Sequence, residues 1–156
     1  MKKLALLLGS ALMLGACAHQ QTAPTAQNAT KGILLCELGE LCPVIKVNWN
    51  AEDKSQVQLH IYLDNPASYY DIKAVVFNNG QISYAYKPSS TNQEFTRGFY
   101  RSGVTIDTPP NLMAKLKGTP AASMNIITDK GEIKRYIYKD GKASSAYAQF
   151  VQAYTD

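Results

Sequence analysis

Histidine, cysteine and long hydrophobic segments are all scarce in this chain of 156 residues. The longest apolar run covers residues 4–14, with only Gly9 and Ser10 interrupting it. A membrane-spanning helix needs about 20 consecutive apolar residues, and no later segment approaches that length. The sequence therefore predicts no permanent transmembrane helix.

Charge of one sign is also lacking. The chain has 16 Lys and Arg against 12 Asp and Glu, a formal net charge of +4. Two of the basic residues, Lys2 and Lys3, stand at the very start of the chain. A nucleic-acid-binding protein needs a clustered basic face and a larger excess of positive charge. We therefore expect no nucleic-acid partner.

The usual catalytic and ligand-binding motifs are missing as well. There is no Gly-x-Ser-x-Gly elbow, no calcium loop and no Gly-rich phosphate loop. One of the two histidines, His60, lies on the polar side of a strand pattern, four residues before Asp64. A Ser-His-Asp site would need a serine and an oxyanion hole from elsewhere. We predict no catalytic residue, no metal site and no cofactor, and enzymatic activity is the least favoured alternative.

The N-terminus, by contrast, carries a specific signal. Lys2 and Lys3 precede the apolar run, which ends in Leu14-Gly15-Ala16-Cys17. This segment resembles the signal peptide and lipobox of bacterial lipoproteins, in which the peptidase cuts before a lipid-modified cysteine. The resemblance covers residues 1–17 and implies that residues 1–16 are removed and that Cys17 carries the lipid. An ordinary secretory peptide is the alternative, but Leu14 fits its cleavage site poorly.

Lipidation also predicts the location and the domain organisation. Several acyl chains anchor a protein stably, so the predicted partner of Cys17 is a membrane. Ala18 differs from the aspartate that resembles an inner-membrane retention signal, which favours the outer membrane of a Gram-negative envelope. Residues 17–32 are predicted to form a lipidated, flexible tether. Residues 33–156 are long enough for a single β-rich domain with its own core.

Two cysteines remain once Cys17 is assigned to lipid. Cys36 and Cys42 form an even pair in a compartment that favours disulfides. We predict a structural disulfide between them. A redox-active pair is less favoured because oxidoreductases use Cys-x-x-Cys. A zinc site is less favoured again because only His19 and His60 could complete it.

Beyond the tether, apolar residues recur with period two. Ile45, Val47 and Trp49 alternate with polar residues, and so do the apolar residues of segment 57–63. Such alternation predicts half-buried strands. Segment 72–78 is more uniformly apolar, which is typical of a central strand. The fold class that follows is mainly β: an antiparallel β-sandwich or small open barrel of about seven or eight short strands with one C-terminal helix.

Turn residues predict the connections. Asn79-Gly80 and Asp129-Lys130-Gly131 indicate hairpins. Segments 95–100 and 104–107 are predicted as two short strands separated by Ser102-Gly103, and the preceding residues 87–92 as a loop. The predicted C-terminal helix has two possible caps and an aromatic and apolar stripe. These residues are Ser144 or Ser145 as the cap, and Tyr147, Phe150, Val151 and Tyr154 as the stripe.

Tyrosine is the one abundant aromatic residue, with ten in the chain. Tyr84 and Tyr86 alternate with Ser83 and Ala85 in one predicted strand. We hypothesise that these two tyrosines form an exposed stacking platform, because tyrosine combines a large ring with a polar tip. The alternative is core packing and ordinary strand propensity.

These observations favour a non-enzymatic, membrane-anchored envelope lipoprotein that binds a partner protein or supports envelope assembly. Binding of a glycan or peptidoglycan fragment through surface tyrosines is the alternative. A protein inhibitor of an external hydrolase, such as lysozyme, is a further alternative. A contiguous exposed aromatic patch would favour binding, whereas a deep polar pocket around His60 would favour catalysis.

Overall fold

The computed structural model describes residues 27–50, 55–148 and 151, which fold into ten strands, a short helix and the start of a second helix. The strands are β1 (Gln27–Ile33), β2 (Val44–Asn50), β3 (Val57–Asn65), β4 (Ile72–Asn78), β5 (Ser83–Tyr86), β6 (Ser90–Thr96), β7 (Phe99–Thr108), β8 (Ala121–Thr128), β9 (Gly131–Lys139) and β10 (Lys142–Ala143). Helix α1 (Leu112–Leu116) lies between β7 and β8. The C-terminal helix begins at residue 145, and its residues 145–148 and 151 are described.

The strands form two antiparallel five-stranded sheets. Sheet 1 has the order β1-β2-β3-β7-β6, and sheet 2 has the order β10-β9-β8-β4-β5. The predicted mainly β, sandwich-like fold is therefore confirmed. The structure has more than the predicted seven or eight strands, because β1, β6 and β10 were not predicted. Strand β6 is almost entirely exposed at a sheet edge, so its sequence shows no apolar alternation.

The inner faces of the two sheets enclose one hydrophobic core. Alternate residues of β2 and β3 are fully buried, as the period-two pattern predicts. Helix α1 closes the core with Leu112, Met113 and Leu116. The largest completely buried side chains are Phe77, Ile45, Leu59, Ile61, Leu63, Ile106, Leu116, Met124, Ile126 and Ile137.

Strand β1 extends into the segment predicted as tether. It pairs with β2 from Gln27 opposite Asn50 to Ile33 opposite Val44. Residues 27–32 of the predicted tether are thus part of sheet 1, because backbone pairing at an edge needs no apolar side-chain pattern. The predicted signal peptide, Cys17 and the rest of the tether lie outside the described residues.

A tight hairpin replaces one predicted strand. In segment 95–100, β6 ends at Thr96 and β7 begins at Phe99. The two turn residues, Arg97 and Gly98, have φ angles of 53° and 82°, as the mirror-image turns of two-residue hairpins require. Ser102-Gly103 does not interrupt the chain, because β7 pairs through this dipeptide with both β3 and β6.

Both predicted hairpins are present, but one has a longer connection. Asp129 and Lys130 form a two-residue turn between β8 and β9. The β4–β5 connection instead spans four residues, from Asn79 to Ile82. The buried Asn79 organises it, since its Oδ1 accepts hydrogen bonds from the backbone N–H groups of Gln81 and Ile82 at 3.0 and 2.9 Å.

The C-terminal helix docks against β1. Ser144 caps it, because its Oγ accepts a hydrogen bond from the Tyr147 N–H at 3.1 Å, which confirms one of the two predicted caps. Ser145 Oγ accepts from the Ile33 N–H at 3.0 Å. A Cβ on Gly32 would lie 2.4 Å from the Ala146 nitrogen, so the helix reaches the sheet through this glycine. Of the predicted stripe, Phe150 and Tyr154 lie outside the described residues.

We predict that Gly32→Ala destabilises the protein by about 1–3 kcal/mol, the usual cost of overpacking a close contact. The added methyl would overlap backbone atoms of the helix, which cannot move as a side chain can. Urea unfolding measures the change. Lys31→Ala, a change at an exposed position of the same strand, is the control and is expected to leave the midpoint unchanged. Equal midpoints for both variants would contradict the close docking.

Candidate functional site

The outer face of sheet 1 carries a row of polar side chains on its central strand. The alternation along β3 turns Gln58, His60, Tyr62 and Asp64 away from the core. The register with β7 places Thr105 opposite His60, Gly103 opposite Tyr62 and Arg101 opposite Asp64. The polar side chains of β3 around His60 thus lie beside residues of the neighbouring strand β7.

His60 is held on both ring nitrogens. The Asn48 Nδ2 lies 2.9 Å from Nε2, and the Thr105 Oγ1 lies 2.9 Å from Nδ1. Asn48 belongs to β2 and Thr105 to β7, so the ring bridges three adjacent strands. With the Asn48 amide donating to Nε2, the neutral ring carries its proton on Nδ1 and donates it to Thr105. In this tautomer the imidazole does not act as a base toward the Thr105 hydroxyl.

The surroundings of His60 favour the neutral imidazole. Burial lowers the pKa of His60 below its ordinary value, and the charge of Lys46 on β2 lowers it further. The carboxylate of Asp107 on β7 opposes these two effects in part. His60 is therefore an uncharged, oriented ring at neutral pH.

A shallow depression lies between His60 and the edge strand β6. Its volume is about 160 Å³. His60, Tyr62 and Thr105 form one side of it, and Ser90 and Asn92 of β6 form the other. Gly103 of β7 also lines it, and the ring of Tyr62 occupies the space that a side chain there would take, because a Cβ on Gly103 would lie 3.0 Å from Tyr62 Cδ1. We call this feature the His60 depression.

An ion-pair network borders the His60 depression. Arg101 donates from Nε and Nη2 to the two carboxylate oxygens of Asp64, at 2.7 and 2.8 Å. It also reaches Glu94 at 3.4 Å, and its guanidinium carbon lies 5.7 Å from the centre of the Tyr62 ring. The hydrogen bonds from Arg101 lower the pKa of Asp64. Beside Tyr62, one guanidinium thus faces two carboxylates, those of Asp64 and Glu94.

Tyr84 and Tyr86, the two tyrosines of the hypothesised stacking platform, lie on β5 at an edge of sheet 2. They pair with Phe77 and Val75, two core residues, and both tyrosines are half-buried against the core. The rings of Tyr86 and Phe77 meet edge to face at 5.8 Å, and burial raises the pKa of Tyr86. Their place in the fold favours the packing alternative of the sequence analysis.

The exposed aromatic rings lie instead at the β6–β7 hairpin. Phe95 is 61% exposed and Phe99 is 43% exposed. The ring of Tyr100 lies 5.0 Å from Phe95 and 5.0 Å from Tyr69, which precedes β4. We call these four residues the aromatic tip. Sequence reasoning missed it because segment 95–100 was read as one strand, although Arg97-Gly98 is a turn signal between aromatic residues.

Cys36 and Cys42 form the predicted disulfide, with their Cα atoms 5.8 Å apart. The enclosed loop turns at Gly39, which has a φ of 86°, and leaves Leu38 fully exposed. Arg135 of β9 fixes the loop, since its Nε lies 3.3 Å from the Glu40 carboxylate and 3.1 Å from the Leu41 carbonyl oxygen. The bridge therefore closes the β1–β2 connection on itself, and Arg135 attaches that connection to sheet 2.

Within residues 27–50, 55–148 and 151, no three His, Cys, Asp or Glu side chains come together as a metal site. No helix in these ranges is long and apolar enough to span a bilayer.

Comparisons of the chain with protein-family models, curated proteins and solved structures gave no significant match.

We predict that His60 titrates below 6.5, its ordinary pKa, in the folded protein and at about that value in urea. NMR titration of the imidazole signals measures both. Because the unfolded chain then takes up the proton first as the pH falls, the contribution of His60 to stability is present above pH 6.5 and is lost on acidification.

Lys46 and Asp107 carry opposite charges near His60, so a variant of each provides a matched control. Lys46→Gln should raise the pKa of His60 toward its ordinary value, whereas Asp107→Asn should lower it further, because these are the charges that act on the ring. A pKa that neither variant moves would contradict the placement of His60.

We predict that the double variant Cys36→Ser/Cys42→Ser loses about 2–3 kcal/mol of unfolding free energy, the chain-entropy value for a short closed loop. Urea unfolding of the oxidised protein and the variant measures the loss. Reductant should shift the parent protein to the same midpoint and leave the variant unchanged. A reductant effect on both proteins would mean that the bridge is not its cause.

Proposed function

We propose that this protein is a lipoprotein of the bacterial outer membrane whose β-sandwich binds a partner protein and catalyses no reaction. The resemblance of residues 1–17 to a lipobox supports attachment through Cys17. The aromatic tip is the single observation that carries the binding proposal. It places two exposed phenylalanines, Phe95 and Phe99, at one hairpin, whereas the other exposed large apolar side chains of the described residues, Ile33, Leu38 and Ile82, lie elsewhere.

The aromatic tip has the composition of a protein interface. Aromatic residues and arginine are enriched at interface centres, and lysine and glutamate are depleted there. Arg97 lies in the turn, between Phe95 and Phe99. Because Phe95 pairs with Tyr100 and Phe99 pairs with Thr96, the two phenylalanines lie on opposite faces of the hairpin. Such a tip can enter a cleft and contact both of its walls.

The aromatic tip is also ordered before any partner arrives. The ring contacts of Tyr100 with Phe95 and Tyr69 join the hairpin to the β3–β4 connection. Lys130 lies 4.8 Å from the ring centre of Tyr70 and donates to the Tyr69 carbonyl oxygen. Rigid side chains lose little entropy on association, so their burial contributes more of its energy to affinity.

The aromatic tip lies far from the point where the chain enters the sandwich. Gln27, the first residue of β1, is at one end of sheet 1, and the β6–β7 turn is at the other end. The nine residues of β3 between these ends span roughly 30 Å. A domain tethered through Cys17 would therefore present the tip away from its point of attachment.

Charge favours a protein rather than a lipid surface as the occupant. The carboxylates of Asp64 and Glu94 lie directly behind the aromatic tip, paired with Arg101. Anionic headgroups attract clustered Lys and Arg and are repelled by carboxylates. A protein partner can match this mixed rim with its own charges.

Site-specific photocrosslinking tests the binding proposal. A benzophenone amino acid replaces Phe99 in the full-length protein in intact cells, and a second protein carries it at Ile82. Ile82 is 46% exposed but lies in the β4–β5 connection, so it is a matched control. We expect a discrete protein adduct from position 99 and none of that size from position 82.

Variants of the aromatic tip provide the second arm of this test. Phe95→Ser should weaken the crosslink from position 99 at least tenfold, since aromatic anchors often contribute more than 1.4 kcal/mol, while Ile82→Ser should not. Equal adducts at both positions, or an adduct with lipid alone, would count against a protein partner. Urea unfolding confirms that each variant is folded.

The membrane attachment has its own test. Growth with an alkyne-labelled fatty acid should label the parent protein and the Cys36→Ser/Cys42→Ser variant, but not Cys17→Ser. Loss of the label should also release the protein from the outer-membrane fraction. Labelling that persists in Cys17→Ser would refute the lipobox interpretation.

A further inference from the structure

We propose that β6 binds an extended, basic segment of a partner protein as an added strand of sheet 1. This inference deepens the proposed partner binding and rests on it, because β6 leads directly into the aromatic tip. It is carried by backbone groups without partners along an open sheet edge and by an exposed carboxylate beside them.

Strand β6 is a long, open edge of the sandwich. Sheet 1 ends at β1 and β6, and sheet 2 ends at β10 and β5. Strand β1 contacts the C-terminal helix through Gly32 and Ile33, and β10 and β5 have only two and four residues. Strand β6 has seven residues, of which six are exposed, and no strand in the described part of the chain pairs with its outer side.

The usual devices that protect a sheet edge are absent from β6. Proteins blunt exposed edges with lysine, proline, bulges or very short strands. The sequence of β6, Ser-Thr-Asn-Gln-Glu-Phe-Thr, contains no lysine and no proline. Its register with β7 continues without a bulge over all seven pairs. Such an edge is a template for another strand, and strand addition is a common mode of peptide recognition.

The register shows which backbone groups of β6 face outward. The residues that flank a two-residue hairpin turn exchange backbone hydrogen bonds, so Thr96 and Phe99 form a bonded pair. Bonded pairs alternate along an antiparallel ladder, so Thr91, Gln93 and Phe95 direct their N–H and C=O groups away from β7. Within the described residues these backbone groups have no hydrogen-bond partner. An extended strand satisfies such a row of alternating donors and acceptors.

Side chains beside the edge indicate the composition of the added strand. Asp64 takes the bidentate pair with Arg101, at 2.7 and 2.8 Å, whereas Glu94 keeps one contact with Arg101 at 3.4 Å. The side chain of Glu94 is 47% exposed, so its carboxylate can pair with a lysine or arginine on a neighbouring strand. Phe95, on the opposite face of β6, favours an apolar residue in alternation with the basic ones. A second copy of β6 has no cation to offer, which favours a different protein.

The ends of the edge limit the length of the added strand. Pro88, which has no N–H group, lies shortly before β6. At the other end the chain turns at Arg97 and Gly98. The edge between these points accommodates about five to seven residues of an extended segment.

NMR titration of the full-length protein in neutral detergent micelles tests strand addition. The probe is the peptide Thr-Lys-Val-Lys-Val-Lys-Thr, which places its lysines on one face and its valines on the other. We expect saturable shifts of the β6 amide signals with a Kd of about 1 mM or lower. The same peptide with glutamate in place of each lysine should bind about tenfold more weakly, because Glu94 repels it.

N-methylated peptides separate backbone pairing from ionic attraction. A methyl group on a backbone nitrogen removes the N–H donor, as proline does. In antiparallel pairing, opposite residues lie on one face, so the valine N–H groups face Thr91, Gln93 and Phe95. Methylation of both valines should therefore weaken binding about tenfold, whereas methylation of two lysines should leave it unchanged. The reverse result indicates parallel pairing, and either result supports the proposal.

Two variants of Gln93 assign the shifts to β6. Gln93→Pro removes the outward N–H at the centre of the edge and should weaken binding about tenfold. Proline is tolerated in an edge strand when its nitrogen faces solvent. Gln93→Ala is the matched control, because it keeps the N–H and loses only the side-chain hydrogen bond to the Tyr70 carbonyl oxygen, and it should bind as the parent does. A dispersed amide spectrum shows that each variant is folded, and if Gln93→Pro does not fold, the methylated peptides decide.

Four outcomes of the titrations would overturn the proposal. They are the absence of saturable shifts with the lysine peptide, equal binding of the lysine and glutamate peptides, equal binding of the two methylated peptides, and equal weakening by both Gln93 variants. A dimer of the parent protein that Gln93→Pro dissociates would also overturn it, because a second copy would then occupy the edge.

Crosslinking from position 99 distinguishes failure of strand addition from failure of the proposed function. An adduct from a protein that does not bind the lysine peptide would leave partner binding at the aromatic tip intact and remove only strand addition. Peptide binding at β6 without any adduct from position 99 would count against the proposed partner instead.

Discussion

The pairing of β3 with β7 is the constraint on which the rest of the structure depends. The two strands pair from Val57 opposite Thr108 to Asn65 opposite Tyr100. This register sends Ile61 into the core and leaves His60 outside. Because side chains alternate with period two, a slip by one residue would exchange the two sets. The same ladder positions the β6–β7 hairpin, so the core, the His60 depression and the aromatic tip all follow from one register.

Burial constrains the two faces of sheet 1 very differently. The inner face must fill the space against sheet 2, and apolar residues of suitable volume satisfy that demand. The outer face has no such packing requirement, yet Asn48 and Thr105 hold the ring of His60 between three strands. The ring of Tyr62 covers Gly103 on the same face, where a Cβ would lie 3.0 Å from Tyr62 Cδ1. The outer face is a candidate site for two reasons. The ring of His60 is held in one orientation there, and a depression lies beside it.

Arg101 connects the two candidate surfaces. Its bidentate pair with Asp64 lies between the aromatic tip and the His60 depression, and its contact with Glu94 reaches the edge strand. Partly exposed ion pairs contribute little to stability. The main effect of this network is to hold β3, β7 and β6 together where the hairpin leaves the sandwich.

The period-two pattern by itself determined the strand type and the polar side of β3, because burial of one face imposes alternation on the sequence. Cysteine count and compartment likewise determined the pairing of Cys36 with Cys42. The edge strands β1 and β6 could not be predicted, because an exposed strand needs only backbone pairing and carries no apolar pattern. Only the tertiary structure decided that Tyr84 and Tyr86 pack on the core while Phe95 and Phe99 remain exposed. The physical reason is that exposure depends on which strand lies opposite, and that partner is set by long-range register rather than by local sequence.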